Sequence, residues 1–138
     1  MQLATSLSKR ENAEIDIVHP WELPYESTFR SGRFRMAEVE LKLLLTLEVD
    51  RHKARLLALL ERYDMTIDDD NVHLIEGDAA ESINWVAEQN DSDIIVMGTL
   101  GRVGIPELFI GNMAEEIFQT SGCSVLAVKP IGFRSAVE

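Results

Sequence analysis

The apolar positions change period along the chain, and each change marks an element. Ile15 and Ile17 alternate with Asp16 before Val18, predicting a strand over 14–19 that Pro20 ends. Before it, Leu3, Leu7 and Ala4 share one face and Lys9, Arg10 and Glu11 the other, predicting a helix over 1–13. The stretch after Pro20, "ELPYESTFRSGRFR", has no period and reads as a loop docked by Phe29 and Phe34. Met36 to Tyr63 contains no Gly or Pro and predicts a long helix. Its apolar stripe runs Met36, Val39, Leu43, Leu47, then Leu56, Leu59, Leu60 and Tyr63, widened by Leu41, Leu44 and Leu45. That width suits a helix packed on a sheet, or one packed on a sheet and on a partner chain.

The second half repeats the alternation. "VHLIEG" predicts a strand over 72–77, followed by a helix to about Asn90 with Asp78 as N-cap and Glu81 completing a capping box. Ile83, Val86 and Ala87 form its inner stripe, with Trp85 beside it. "DIIVMG", 93–98, is a continuous apolar run, as in a strand covered on both faces. A helix over 112–121 follows, with Asn112 as cap, Glu115 three positions on, and Ile117 and Phe118 pointing inward. "SVLAVKP" is a last strand ended by Pro130. The order α–β–α–β–α–β–α–β predicts an α/β fold: an open parallel sheet with helices on both faces.

Composition narrows the classes. The 138 residues, 46% hydrophobic and 27% charged, fit one domain over 1–138 able to bury a sizeable core. A formal charge of −11 argues against nucleic acid and anionic membranes as partners. No apolar run approaches a membrane span, and no secretory leader opens the sequence, so a cytoplasmic location is the expectation. The lone Cys123 permits no internal disulfide and reads as a small packed residue. "DMTIDDDN" lacks the glycine and terminal glutamate of a calcium loop and reads as a solvated turn. His19, ending a strand, reads as a hydrogen-bonded, partly buried histidine, while His52 and His73 stand isolated in the pattern. No metal-ligand spacing, nucleophile elbow or Cys–His pair is present, so no catalytic residue is assigned.

The candidate chemistry lies in "MGTLGRVGIPELFIGNMAEE", which leaves the carboxyl end of a strand, where ligands sit in open α/β sheets. Gly98, Gly101 and Gly111 allow backbone amides close approach to an anion, Arg102 adds a cation, and a helix N-terminus follows. These are parts for binding a di- or triphosphate. They also suit a sharp turn followed by a helix starting close to the sheet. Neither the Walker loop nor the dinucleotide glycine fingerprint is present. Glu115 and Glu116 suit the helix dipole but would compete with a bound phosphate.

The spacing Gly98-x2-Gly101-x9-Gly111 resembles the nucleotide-binding signature of the ATP-binding universal stress proteins, which continues with Ser or Thr. "SDIIVMGTLGR", "AEEIFQTSGCSVLAVKP", "IVHPW" and "EGDAAESI" are similar to that family's fourth strand and loop, last helix and strand, second strand, and third-helix start. The likeness covers nearly the whole chain and is greatest, in its C-terminal half, to the tandem-domain E-type members. The resemblance implies a Rossmann-like, adenine nucleotide alpha hydrolase-like fold, and a stress-adaptation protein acting by binding and dimerisation. It implies ATP or a related nucleotide, with magnesium as counter-ion, held by Gly98, Gly101 and Gly111. Asn112 stands at the Ser/Thr position, Arg102 where the family often has a basic residue, and Pro20 beside the adenine pocket. It further implies a homodimer through the last strand, 124–129, or pairing with a second universal stress domain, and at most slow ATP hydrolysis. The rival reading is a dimerising scaffold with a degenerate, non-nucleotide cleft.

Two departures bear on the choice. Asn112 replaces Ser or Thr, and an amide presents its oxygen poorly to phosphate. The family's first strand, whose Asp contacts adenine, has no counterpart here. In the family's strand order 3-2-1-4-5 that strand is central, so its absence predicts two unpaired inner edges: another chain or domain fills the gap, or the sheet rearranges, or, the favoured reading, the chain is part of a longer protein.

Overall fold

The computed structural model describes residues 1–24, 26–30, 36–99 and 111–129. Five helices and four strands are described: α1 (Gln2–Glu11), β1 (Ile17–Trp21), α2 (Glu26–Arg30), α3 (Glu38–Leu60), β2 (Val72–Glu76), α4 (Ala79–Gln89), β3 (Ile94–Gly98), α5 (Asn112–Thr120) and β4 (Ser124–Val128). The fold is α/β with parallel strands. β1 pairs with β2 and β3 with β4, each as a two-stranded parallel sheet. That is the pairing left by the order 3-2-1-4-5 when strand 1 is taken out. The chain divides into two units, one of Met1–Ile15 with the chain from Ala79 on, the other Asp16–Asp78.

In the Asp16–Asp78 unit, β1 runs through Pro20 rather than ending before it, with Pro20 opposite Ile75. The ladder explains the tolerance. The amide of Ile17 donates to the Asn71 carbonyl, and the Trp21 carbonyl accepts from Gly77. Odd-numbered residues of β1 therefore bond to β2, and Pro20 turns its missing donor to the open edge. Gly77 closes the ladder at φ 147°, a backbone conformation open to glycine and strained for other residues.

The segment read as a loop after Pro24 contains the short helix α2, held by an Arg30–Glu26 pair one turn apart. Phe34 lies outside the described residues, and Phe29 is half-buried. α3 opens with the Glu40 carboxylate accepting the Ala37 amide at 3.3 Å. A short 3-10 turn, Glu61–Tyr63, extends it, and Asp64 stops it in the left-handed conformation.

The expected α3 stripe is only half right. Leu41, Leu56 and Leu60 are buried, but Val39, Leu43 and Leu47 are 80, 61 and 56% exposed. The helix is apolar on two opposite sides, and the sheet takes only one of them. Beyond it, the Asp69 carboxylate accepts the Thr66 amide at 2.8 Å and the Thr66 hydroxyl at 2.9 Å. These bonds hold the Asp69 carboxyl below its ordinary pKa and make the acidic row a closed turn.

In the other unit the core gathers Ala80, Ile95, Met97, Ala114 and Ile117, with Ile83, Ala87, Cys123 and Val125 packed against it. α4 and α5 lie together, tied by a 2.8 Å bond from the Asn84 amide to the Thr120 hydroxyl. Two expectations fail here. β3 is covered on one face, with Ile95 and Met97 buried and Ile94 exposed. On α5, Ile117 is fully buried but Phe118 is 44% exposed, because neighbouring residues on one helix turn 100° apart and the inner stripe takes Ala114 and Ile117.

Candidate functional site

The site is built where β3 ends. The Thr99 amide donates to the Val128 carbonyl and the Ser124 amide to the Asp93 carbonyl. Odd-numbered residues of β3 therefore bond to β4, and the backbone of Gly98 turns to the opposite side. Among the described residues, a Cβ built on Gly98 would meet nothing within 4 Å. The Gly111 amide donates to the Thr99 carbonyl at 3.1 Å, drawing the start of α5 back to the end of β3. Gly98 and Gly111 are thus brought together through the buried Thr99.

A pocket of about 630 Å³ opens beside this strand end. Gly98, Thr99 and Lys129 line it from the strands, and Met1, Gln2 and Leu3 from the first turn of α1. A helix N-terminus and an ammonium group suit an anionic ligand, and the volume falls in the ordinary range for small-molecule sites. Sequence reasoning did not single out Thr99, Lys129 or the start of α1, because no local pattern says that α1 lies against the end of β3.

Asn112 is not the helix cap. Gly111 holds that position at φ −63° and ψ 150°, Asn112 is the first helical residue, and no side chain caps the helix. The shift of one residue follows from Gly111 spending its amide on Thr99 while its carbonyl accepts the Glu115 amide. Asn112 is exposed and, like Gly111, does not line the pocket. Pro20 belongs to the Asp16–Asp78 unit, on β1. Gly101 and Arg102 lie outside the described residues.

The histidines are better connected than their isolation in sequence indicates. His19 and His52 are hydrogen-bonded to each other, and His73 lies 2.9 Å from Asp16. Among the described residues, no three His, Cys, Asp or Glu side chains converge as a metal site, and no helix is long and apolar enough to cross a membrane.

Comparison with known proteins gives the family and the fold. The model of the universal stress protein family matches residues 1–129. Over 88 residues the chain is 33% identical to universal stress protein E of Escherichia coli K12, covering 64% of this chain and 27% of that protein. Over 80 residues it is 32% identical to the universal stress protein E homolog of Haemophilus influenzae, covering 58% and 25%. The crystal structure of a functionally unknown protein from Pseudomonas aeruginosa PAO1 superposes with a TM-score of 0.66 at 25% identity, covering 92% of this chain and 38% of that one. The matched region spans about a quarter of the length of these curated relatives.

Proposed function

The chain belongs to the universal stress protein family, and from that membership we propose that it binds ATP or a related adenine nucleotide at the end of β3. It acts by binding and assembly, in the cytoplasm, without a dedicated catalytic reaction beyond slow hydrolysis of what it holds. The observation carrying this reading is the closure of Gly111 onto Thr99 beside Gly98, next to a pocket lined by Lys129 and the first turn of α1. In this reading the amides of the glycine segment and Lys129 face the phosphates, and magnesium accompanies the nucleotide as counter-ion. Gly101 and Arg102 enter through the signature spacing alone. Assembly runs through the outer edge of β4, which pairs with β3 on one side only, or through a second universal stress domain.

One observation favours a second reading. Asn112, at the position of the phosphate-contacting Ser or Thr, is exposed and makes no cap bond, as in a scaffold whose cleft has lost its nucleotide. Titration calorimetry with ATP and magnesium separates the two. The nucleotide reading expects a dissociation constant from micromolar to sub-millimolar, about −5 to −8 kcal/mol. It also expects no binding by Gly98→Glu, whose Cβ meets nothing within 4 Å among the described residues and whose carboxylate would stand in the pocket against phosphate. Circular dichroism checks that this variant is folded. Absence of both heat and thermal shift at millimolar ATP overturns the nucleotide reading and leaves the scaffold.

A further inference from the structure

β1 sends Ile17, His19 and Trp21 to the side on which α3 packs, and α3 answers with His52. The Nε2 of His19 lies 2.9 Å from the Nδ1 of His52, across 33 residues of sequence. The two ring centroids are 5.1 Å apart, and the His52 centroid is 5.9 Å from that of the buried Trp21. One turn along α3, Leu56 is fully buried. A polar bond therefore sits in the apolar layer that joins this helix to its sheet.

The chemistry of the bond limits the protons it can hold. Two neutral imidazoles share it with one N–H donating and one nitrogen accepting. With one proton added, an imidazolium still donates to the neutral partner. With two added, both facing nitrogens carry N–H and like charges confront each other at hydrogen-bond distance. We propose that the His19–His52 pair is an acid-released latch, tying α3 to β1 while at least one ring is neutral and releasing the helix when both are protonated.

The surroundings supply charge to balance one proton, not two. From α3, the Glu48 carboxylate lies 3.8 Å from the far Nε2 of His52, while Arg55 opposes protonation of His19. From the strands, the nearest neighbours of His19 on this face are Trp21 and its ladder partner Leu74, neither of which titrates. Lys53, Asp68 and Glu76 line an adjoining pocket of about 460 Å³ beside Trp21. His73 stands opposite Val18 in the ladder, one step out of phase with His19 and Leu74 and so on the opposite face of the sheet, and pairs with Asp16. Burial, then the facing His52 ring, then Arg55 hold His19 below the ordinary histidine value of 6.5. The sign follows: the unfolded chain takes this proton more readily than the fold. The stability tied to a neutral His19 is whole above that value and is lost as pH falls through the lower folded one.

Amide hydrogen exchange tests the latch. Protection of α3 amides near Leu56–Leu60, corrected for intrinsic exchange, is expected to fall about ten-fold or more between roughly pH 7 and pH 5 while α4 holds its protection. His19→Gln, which keeps a hydrogen-bonding group but cannot titrate, is expected to hold α3 protection over the same range. His52→Gln serves as a second variant. If α3 protection in the natural chain is flat, or α3 and α4 lose protection together, the latch is refuted. If His19→Gln shows the same α3 loss, some other group titrates and the proposal also fails. Should both variants unfold at neutral pH, the natural chain's α3-against-α4 profile decides by the same criteria.

Discussion

Leu56 and Leu47 sit on opposite sides of α3, 1% and 56% exposed, and truncating each to alanine separates the covered side from the open one. Leu56→Ala removes three carbons from a fully packed place. At about 0.8 kcal/mol per buried methylene the transfer loss is about 2.4 kcal/mol. A cavity that relaxes only partly brings the total to roughly 3–4 kcal/mol. Leu47→Ala forfeits less than half of the same transfer, leaves no cavity, and gains slightly in helix propensity, so its cost falls below about 1 kcal/mol. Urea unfolding followed by Trp21 emission measures both, in a Trp85→Phe background that removes the exposed tryptophan of the other unit. The Leu56 midpoint should fall far below the Leu47 midpoint at equal m-value. Equal, large losses would mean that the outer stripe is covered in solution. Equal, small losses would mean that α3 does not pack on the sheet through Leu56.

Three further outcomes follow from the same geometry. On α5, Ile117→Ala should cost about 2–5 kcal/mol and Phe118→Ala under about 1.5, measured by thermal unfolding; a reversed order would place Phe118 in the core. In β3, the amides of Ile94, Val96 and Gly98 should exchange about a hundred-fold faster than those of Ile95, Met97 and Thr99; uniform protection would show the open edge covered in solution. Asp69→Asn should loosen the turn at Thr66 and remove a pH dependence. The bonds to Thr66 lower the Asp69 carboxyl, so its stabilisation is present above the ordinary value of 3.8 and lost as pH falls through the lower folded value. An unchanged acid profile of the Thr66 amide resonance would refute this.

The strands were legible because alternation and apolar runs leave few choices over five residues. The failures have local physical causes. α3 has leucines on both sides, at 41, 43, 47, 56 and 60, so period alone cannot say which side meets the sheet. Ile117 and Phe118 are adjacent and both apolar, and only the packing partner chooses between them. Pro20 reads as a stop because Pro cannot donate, but ladder parity decides whether a donor is needed. Asn112 lost the cap by one residue to Gly111, whose bond to Thr99 spans the glycine segment and leaves no mark in the local sequence. The His19–His52 bond is equally silent, since nothing in either neighbourhood names the other ring.

Of the open strand edges, those of β1 and β3 differ in a way that bears on the site. On the side away from β2, β1 presents Val18 and Pro20, and the proline removes one of the two donors. An edge interrupted by proline is a poor template for another strand. On the side away from β4, β3 presents Ile94, Val96 and Gly98 with every donor in place. The last of these belongs to a glycine with no Cβ in the way, and it lines the pocket. A strand laid along β3 would engage the donors of Ile94 and Val96 first and reach Gly98 only at its end. A ligand in the pocket meets Gly98 first. Strand pairing and ligand binding therefore draw on one row of amides from opposite ends, and a chain that does both can divide the row between them at Gly98.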